Sequence, residues 1–262
     1  MFYYLGAKNR LSAIPFEKGG YPDPIYDLII EPFAGSAGYA QRWRHKRQVI
    51  LIDKDPMVVR LWHELQELTP PEILALPTPE AGTYCEKGST LDLLVKMCAH
   101  SNGPAHMTGP LKVPTRVVGI WRGMLKRMAD RVDEVKDWDI RQGDYTDAPD
   151  VEATWFIDPP YVPSQMLHSK TVHPRGQGYL HGSGAIDYNE LIQWCLSRRG
   201  QVIAADHGET WIGDLADRAQ RAGFRSHDGK LVVVRALRAQ YDSQGLPNRE
   251  TCLELIKTTP DQ

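Results

Sequence analysis

From Leu28 onward, short apolar runs alternate with stretches of helical periodicity, and this alternation restricts the possible folds more than any other feature. Leu28-Ile29-Ile30 reads as a buried strand, followed by the small residues Ala34 to Gly38 and a short helix. Val49-Ile50-Leu51-Ile52 is a second strand, stopped by Asp53-Lys54-Asp55-Pro56. A helix from about Met57 to Leu68 follows, with Val58, Leu61, Leu65 and Leu68 on one face. Trp138-Asp139-Ile140, Trp155-Phe156-Ile157 and Gln201 to Ala205 continue the strands; Tyr188 to Leu196 and Trp211 to Ala222 continue the helices. The pattern predicts an α/β fold, Rossmann-like, with a mostly parallel sheet and helices on both faces. Leu231 to Val234 and Thr251 to Ile256 have no helical stretch between them, so they are expected to form an antiparallel pair.

The rhythm breaks between Thr69 and Pro114. That segment is rich in proline and glycine, with one short helix around Leu91 to Cys98 and a Gly/Pro-rich link from Asn102 to Pro114. After it, Val117, Trp121, Met124, Leu125, Met128 and Val132 form an apolar helical stripe, with Arg122 and Lys126 facing away. The 262 residues fit one large α/β domain carrying a smaller insertion. The division expected is residues 1–68 with 135–262 as the main domain, and 69–134 as the inserted region. Pro163 to Ala185 is a long polar segment, and connections of that length are usually functional or disordered.

Composition excludes several classes. No apolar run approaches a membrane span, and Met1-Phe2-Tyr3-Tyr4 lacks the features of a signal peptide, so a cytoplasmic protein is expected. Cys85, Cys98, Cys195 and Cys252 are widely spaced, which disfavours a disulfide framework. Cys85, Cys98, His100 and His106 match no zinc spacing, and His168, His173 and His181 read as loop histidines; no metal is expected. Net charge is −2, which gives no global attraction to nucleic acid. Local basic runs stand out: Arg42 to Arg47, and Lys112, Arg116, Arg122, Lys126, Arg127 and Arg131. They suit an enzyme that holds nucleic acid on one face; solvated helix surface accounts for each equally well.

Three segments carry candidate chemistry. Glu31 to Gly38 lies between a strand and a helix, where small residues let the backbone turn tightly and approach a ligand; a plain tight turn uses the same residues. Asp53 closes the second strand, where a carboxylate is placed to accept from both hydroxyls of a ribose, while Asp55 is the better cap for the following helix. Asp158-Pro159-Pro160-Tyr161 follows a strand. Two prolines remove two backbone donors and leave outward carbonyls with no local partner, Asp158 adds a charged acceptor, and Tyr161 adds a flat face. That set suits a flipped base presenting an amino group. A rigid loop with Tyr161 in ordinary packing is the alternative.

These segments, in this order, resemble the Dam-like DNA adenine-N6 methyltransferases of the D12 class, alpha group. Tyr4-Leu5-Gly6-Ala7-Lys8 resembles their N-terminal aromatic-x-Gly-Gly-Lys element, and Glu31 to Gly38 with Asp53 their cofactor loop. Gly143-Asp144-Tyr145 and Asp158 to Tyr161, the family's DPPY motif, complete the set. Weaker likeness runs through Ile186 to Leu191, Arg235, Asn248, Arg249 and Glu254 to Ile256; it fails between about Thr69 and Pro114. Two departures are Ala7 and Ala37, each standing where the family often has glycine; alanine fits at 37 if its φ is not positive.

The resemblance implies a Rossmann-like methyltransferase using S-adenosyl-L-methionine. Cofactor contacts carry over to Tyr4, Gly6, Lys8, Phe33, Ala34, Gly35, Ser36, Asp53, Asp144 and Asp158, and catalysis to Asp158, Pro159, Pro160 and Tyr161. The region before Asp144 would read double-stranded DNA, with Arg116, Arg122 and Lys126 as candidate contacts. Methyl transfer to adenine N6 after base flipping is the expected activity, with membership of a restriction-modification system compatible and a restriction endonuclease partner not specified by any residue. The rival readings are an RNA base methyltransferase on an exocyclic amino group, a cytosine-N4 enzyme, and a catalytically silent nucleic-acid-binding module on the same fold.

Overall fold

The computed structural model describes residue 2 and residues 12–99, 109–160, 186–207, 210–225, 234–236, 240–241, 247–248 and 250–256. Its main sheet contains β1 (Leu28–Glu31), β2 (Gln48–Asp53), β3 (Asp139–Gln142), β4 (Glu152–Ile157), β5 (Arg199–His207), β6 (Val234–Ala236) and β9 (Glu250–Ile256); β7 (Gln240–Tyr241) and β8 (Pro247–Asn248) form a separate small hairpin. The order across the main sheet is β3-β2-β1-β4-β5-β9-β6. The first five strands are parallel; β9 runs antiparallel to both β5 and β6. This is a Rossmann-like, doubly wound α/β fold, as the sequence predicts; an antiparallel pair closes it, between Val234–Ala236 and β9, while 231–233 of the predicted Leu231 to Val234 strand lie outside the described residues.

The helices are α1 (Ala40–Trp43), α2 (Pro56–Glu67), α3 (Pro70–Ala75), α4 (Thr90–Ala99), α5 (Thr115–Ala129), α6 (Tyr188–Ser197) and α7 (Thr210–Arg221). Period-2 alternation in the strands sorts their side chains into two buried clusters, one on each face. Ile29, Val49, Leu51, Phe156 and Ile203 join the first, with Val58, Leu61, Trp62 and Leu65 of α2. Ile30, Ile52, Trp155, Ile157, Val202 and Ala204 join the second, with Leu191, Ile192, Ile212 and Leu215 of α6 and α7.

The described residues of 69–134 form part of the crossover from β2 to β3. Ile73, Leu93, Leu94 and the predicted stripe of α5 enter the first-face cluster. The helix α3 is an addition to the sequence reading, which took Pro70-Pro71 as a break. Prolines in the first turn begin a helix, because those N–H groups have no intrahelical acceptor. Thr69 caps it: the Glu72 carboxylate accepts from the Thr69 backbone N–H at 2.8 Å and its hydroxyl at 2.6 Å.

One glycine fixes the start of β5. Gly200 has φ 98°, and a Cβ there would stand 2.3 Å from the Ala153 carbonyl oxygen on β4. Among the described residues, no helix is long and apolar enough to cross a membrane.

Candidate functional site

Strand order reverses between β1 and β4, and in open α/β sheets ligands bind beyond the carboxyl ends of strands at such a switch point. Glu31 ends β1, Asp53 ends β2, Gly143-Asp144 follow β3, and Asp158-Pro159-Pro160 follow β4. The Asp206-His207 end of β5 lies beside the start of β9, with Asp206 paired to Thr251. One edge of the sheet therefore gathers the described part of every predicted cofactor and catalytic segment. Tyr4, Gly6, Lys8 and Tyr161 lie outside the described residues, as do the His168, His173 and His181 segment and Arg249.

The loop after β1 is held from several sides. The Ala34 N–H donates to the Ile52 carbonyl at 3.0 Å, and the Gly35 N–H to the Asp53 carboxylate at 2.7 Å. The buried Trp62 indole donates to the Gly35 carbonyl at 2.9 Å, and the Gln41 amide to the Ser36 carbonyl. Gly35 has φ 46° and Ala37 has φ 50°. The condition for an easy fit of alanine at 37, a φ that is not positive, is not met: Ala37 lies in the left-handed region, at a cost of about 1–2 kcal/mol for a residue with a Cβ. Ser36 is 2% exposed, and its hydroxyl has no hydrogen-bond partner among the described residues. Phe33 is half-buried and stacks on Tyr145, with ring centroids 5.6 Å apart.

Asp53 and Asp55 divide the two roles as the sequence predicts for the cap. The Asp55 carboxylate accepts from the Met57 N–H at 2.8 Å and begins α2. Asp53 uses one oxygen for the Gly35 N–H and the other for the Asp55 N–H, the latter at 2.9 Å. Burial pushes its carboxyl up to about 6, against the two N–H donors that pull it down. Its backbone carbonyl accepts from the Gly143 N–H at 3.1 Å, joining β2 to the turn that carries Asp144. Asp144 is half-buried and pairs with the Lys54 ammonium at 2.7 Å.

Two residues that the sequence reading included in its segments without an individual role lie at the site. Glu31 is 2% exposed, and its carboxylate accepts from the Ala40 N–H at the start of α1 at 2.5 Å. Burial, with added repulsion from Asp158, pushes it up to about 8. Tyr188 opens α6, and its hydroxyl donates to the Pro160 carbonyl at 2.5 Å. The Pro160 carbonyl, which the sequence reading leaves without a local partner, is filled from a distance: a tyrosine of the next helix donates to it. The position of Glu31 before a proline at a strand end was a readable signal; nothing in the local pattern marked Tyr188.

The basic runs are largely engaged within the chain. Arg42 donates to the carbonyls of Ser12 and Ile14, Arg44 and His45 contact Glu134, and Arg47 pairs with Asp27 at 3.1 Å. Arg116 donates to the Ala99 carbonyl at the end of α4, and Arg122 to the Leu74 carbonyl at 3.1 Å. Lys126 is exposed on α5, and Lys112 stands over the exposed Tyr84 ring. Among the described residues, no three His, Cys, Asp or Glu side chains are placed to hold a metal.

No family model matches the chain, and no curated protein matches it. Among solved structures, it is similar to precorrin-6y C5,15-methyltransferase of Geobacter metallireducens GS-15, with 8% identity over 88% of this chain and 80% of that one and a TM-score of 0.39. TYW2 of P. horikoshii, solved with MeSAdo, gives 11% identity over 98% and 65%, with a TM-score of 0.39. Precorrin 8W decarboxylase of Methanobacterium thermoautotrophicum gives 12% over 87% and 81%, with a TM-score of 0.37. These scores lie below 0.5, and the fold stands on the order and direction of the chain's own strands.

Proposed function

We propose that this chain is an S-adenosyl-L-methionine-dependent methyltransferase acting on adenine N6 in double-stranded DNA. The observation that carries the reading is the position of Asp158-Pro159-Pro160: at the carboxyl end of β4, across the switch point from the held loop after β1. The choice of adenine and DNA rests on the sequence resemblance, from Tyr4 to Lys8 through Asp158 to Tyr161.

The residues present suit the cofactor. Asp53 is a half-buried carboxylate with a lone pair left on each oxygen, fit to accept from ribose hydroxyls. Ser36 offers a buried hydroxyl without a partner, beside a loop whose backbone is already fixed. Phe33 and Asp144 complete the wall, with Tyr4 and Lys8 assigned by resemblance. When bound, the cofactor supplies an activated sulfonium methyl.

The chain's part is positioning. Asp158 and the Pro159 carbonyl would accept from the target amino group and orient its lone pair. Tyr188 holds the Pro160 carbonyl, which keeps the segment rigid. Below about pH 8 the Glu31 carboxyl is neutral, so it does not repel the Asp158 carboxylate. Tyr161 would stack on the extruded base.

Expression in a host lacking adenine methylation, followed by single-molecule sequencing of its DNA, tests the reading. Methyl marks at N6 of adenine in a fixed sequence context are expected. Unmodified DNA alongside methylated RNA would transfer the activity to the RNA reading.

A further inference from the structure

Tyr188 and Trp211 form a tilted aromatic pair, with centroids 6.0 Å apart, and the Tyr188 hydroxyl bonds the Pro160 carbonyl. Trp211 lies in the first turn of α7, four residues after the carboxyl end of β5. The residue is 4% exposed, and its Nε1–H has no acceptor among the described residues. A buried donor left unpaired costs about 1–3 kcal/mol, so such a group calls for an explanation. The indoles of Trp43, Trp121 and Trp138 also lack acceptors, but they belong to the first-face cluster or pack against it, among residues of the β2–β3 crossover and α1. Trp211 belongs to the second-face cluster, and its helix begins just beyond the carboxyl end of β5, the edge where the candidate site lies.

Adenine presents its N6 amino group between two ring acceptors, N1 and N7. A site that reads it needs acceptors for the amino group and a donor beside them. Asp158 and Pro159 supply acceptors only. We propose that the Trp211 Nε1–H donates to a ring nitrogen next to the amino group held at Asp158, making Trp211 a specificity-determining residue. It selects rings with an acceptor beside the amino group over rings with C–H there, because the buried N–H stays unpaired against the latter. This inference rests on the amino-methylation reading above.

The test uses the full chain with ¹⁵N-labelled indoles and S-adenosylhomocysteine bound. It is titrated with adenosine, 1-deazaadenosine and 7-deazaadenosine, and the Trp211 resonance is assigned with Trp211→Phe. The Trp211 N–H should move downfield with adenosine and with one deaza analogue, and stay unmoved by the other. The same response to all three, or to none, overturns the inference. Labelled-methyl incorporation into DNA reports on the activity separately. Methylated DNA with an unmoved Trp211 sinks this inference alone; an analogue-dependent shift without methylation sinks the activity and supports the base-reading donor.

Discussion

The two edges of the sheet both bury polar groups, and they treat them in opposite ways. At the amino edge, Gln201 engages every polar atom of its side chain. Its oxygen accepts from the Ile25 N–H at 3.1 Å and the Thr154 hydroxyl at 2.8 Å, and its nitrogen donates to the Asp23 carbonyl at 3.1 Å and the Glu254 carboxylate at 2.6 Å. At the carboxyl edge, Ser36 and Trp211 keep unpartnered buried groups, Glu31 is buried facing the charge of Asp158, and Ala37 is held at a positive φ. A satisfied network stabilises one arrangement; an unsatisfied one at a switch point stores cost that a ligand can relieve. The contrast separates residues that hold the fold from residues that wait for a partner.

The sharpest way to break this contrast is Asp158→Ala. Methyl incorporation into DNA should fall on the order of a thousandfold or more, with thermal unfolding little changed. Turnover at the parent rate removes Asp158 from the chemistry. Next comes the other edge: Gln201→Leu should cost roughly 3 kcal/mol in denaturant unfolding, because it removes the acceptor of the Ile25 N–H and the Thr154 hydroxyl and a donor to the Glu254 carboxylate. Cofactor affinity per folded molecule should be unchanged; a loss there would show that the edges are not separable.

Glu31 predicts a slope. Its carboxyl rises from 4.5 to about 8 on folding, so the folded state binds the extra proton between those values. Stability from this group is present below about pH 4.5 and is lost as pH rises to about 8, the reverse of a salt-bridged acid. Asp53, raised to about 6, adds in the same direction. Glu31→Gln should remove its share, leaving a shallower decline in the unfolding midpoint across that range; an unchanged decline would mean that Glu31 ionises normally. The smallest effect expected is that of Ser36→Ala: stability within about 0.5 kcal/mol and cofactor Kd weakened about tenfold, by calorimetry. An unchanged Kd would mean that the orphan hydroxyl has no ligand to meet.

Much of the fold was legible because alternation and helical spacing are local properties. Leu51 and Ile52 belong to opposite faces, and the period-2 rule alone assigns them. The positions of Asp53 and Asp158 were legible for the same reason: the one ends a readable strand and the other directly follows one. The α3 helix was lost to a rule about proline that holds in helix interiors and inverts at their starts. Tyr188 was hidden because its acceptor lies 28 residues earlier in the chain. The conformation of Ala37 was hidden too, since the loop before it is held by Trp62 and Asp53, which come 27 and 18 residues away from Gly35.

That same loop has a thermodynamic consequence. Fixing a backbone residue costs about 1–2 kcal/mol, and here Ala34, Gly35 and Ser36 are fixed by the fold before any ligand arrives. A ligand entering this site therefore meets little ordering cost, and its affinity should vary smoothly with temperature up to the melting transition. The site and the core would then be lost together in one step, since the indole that holds the loop belongs to α2 and the first-face cluster.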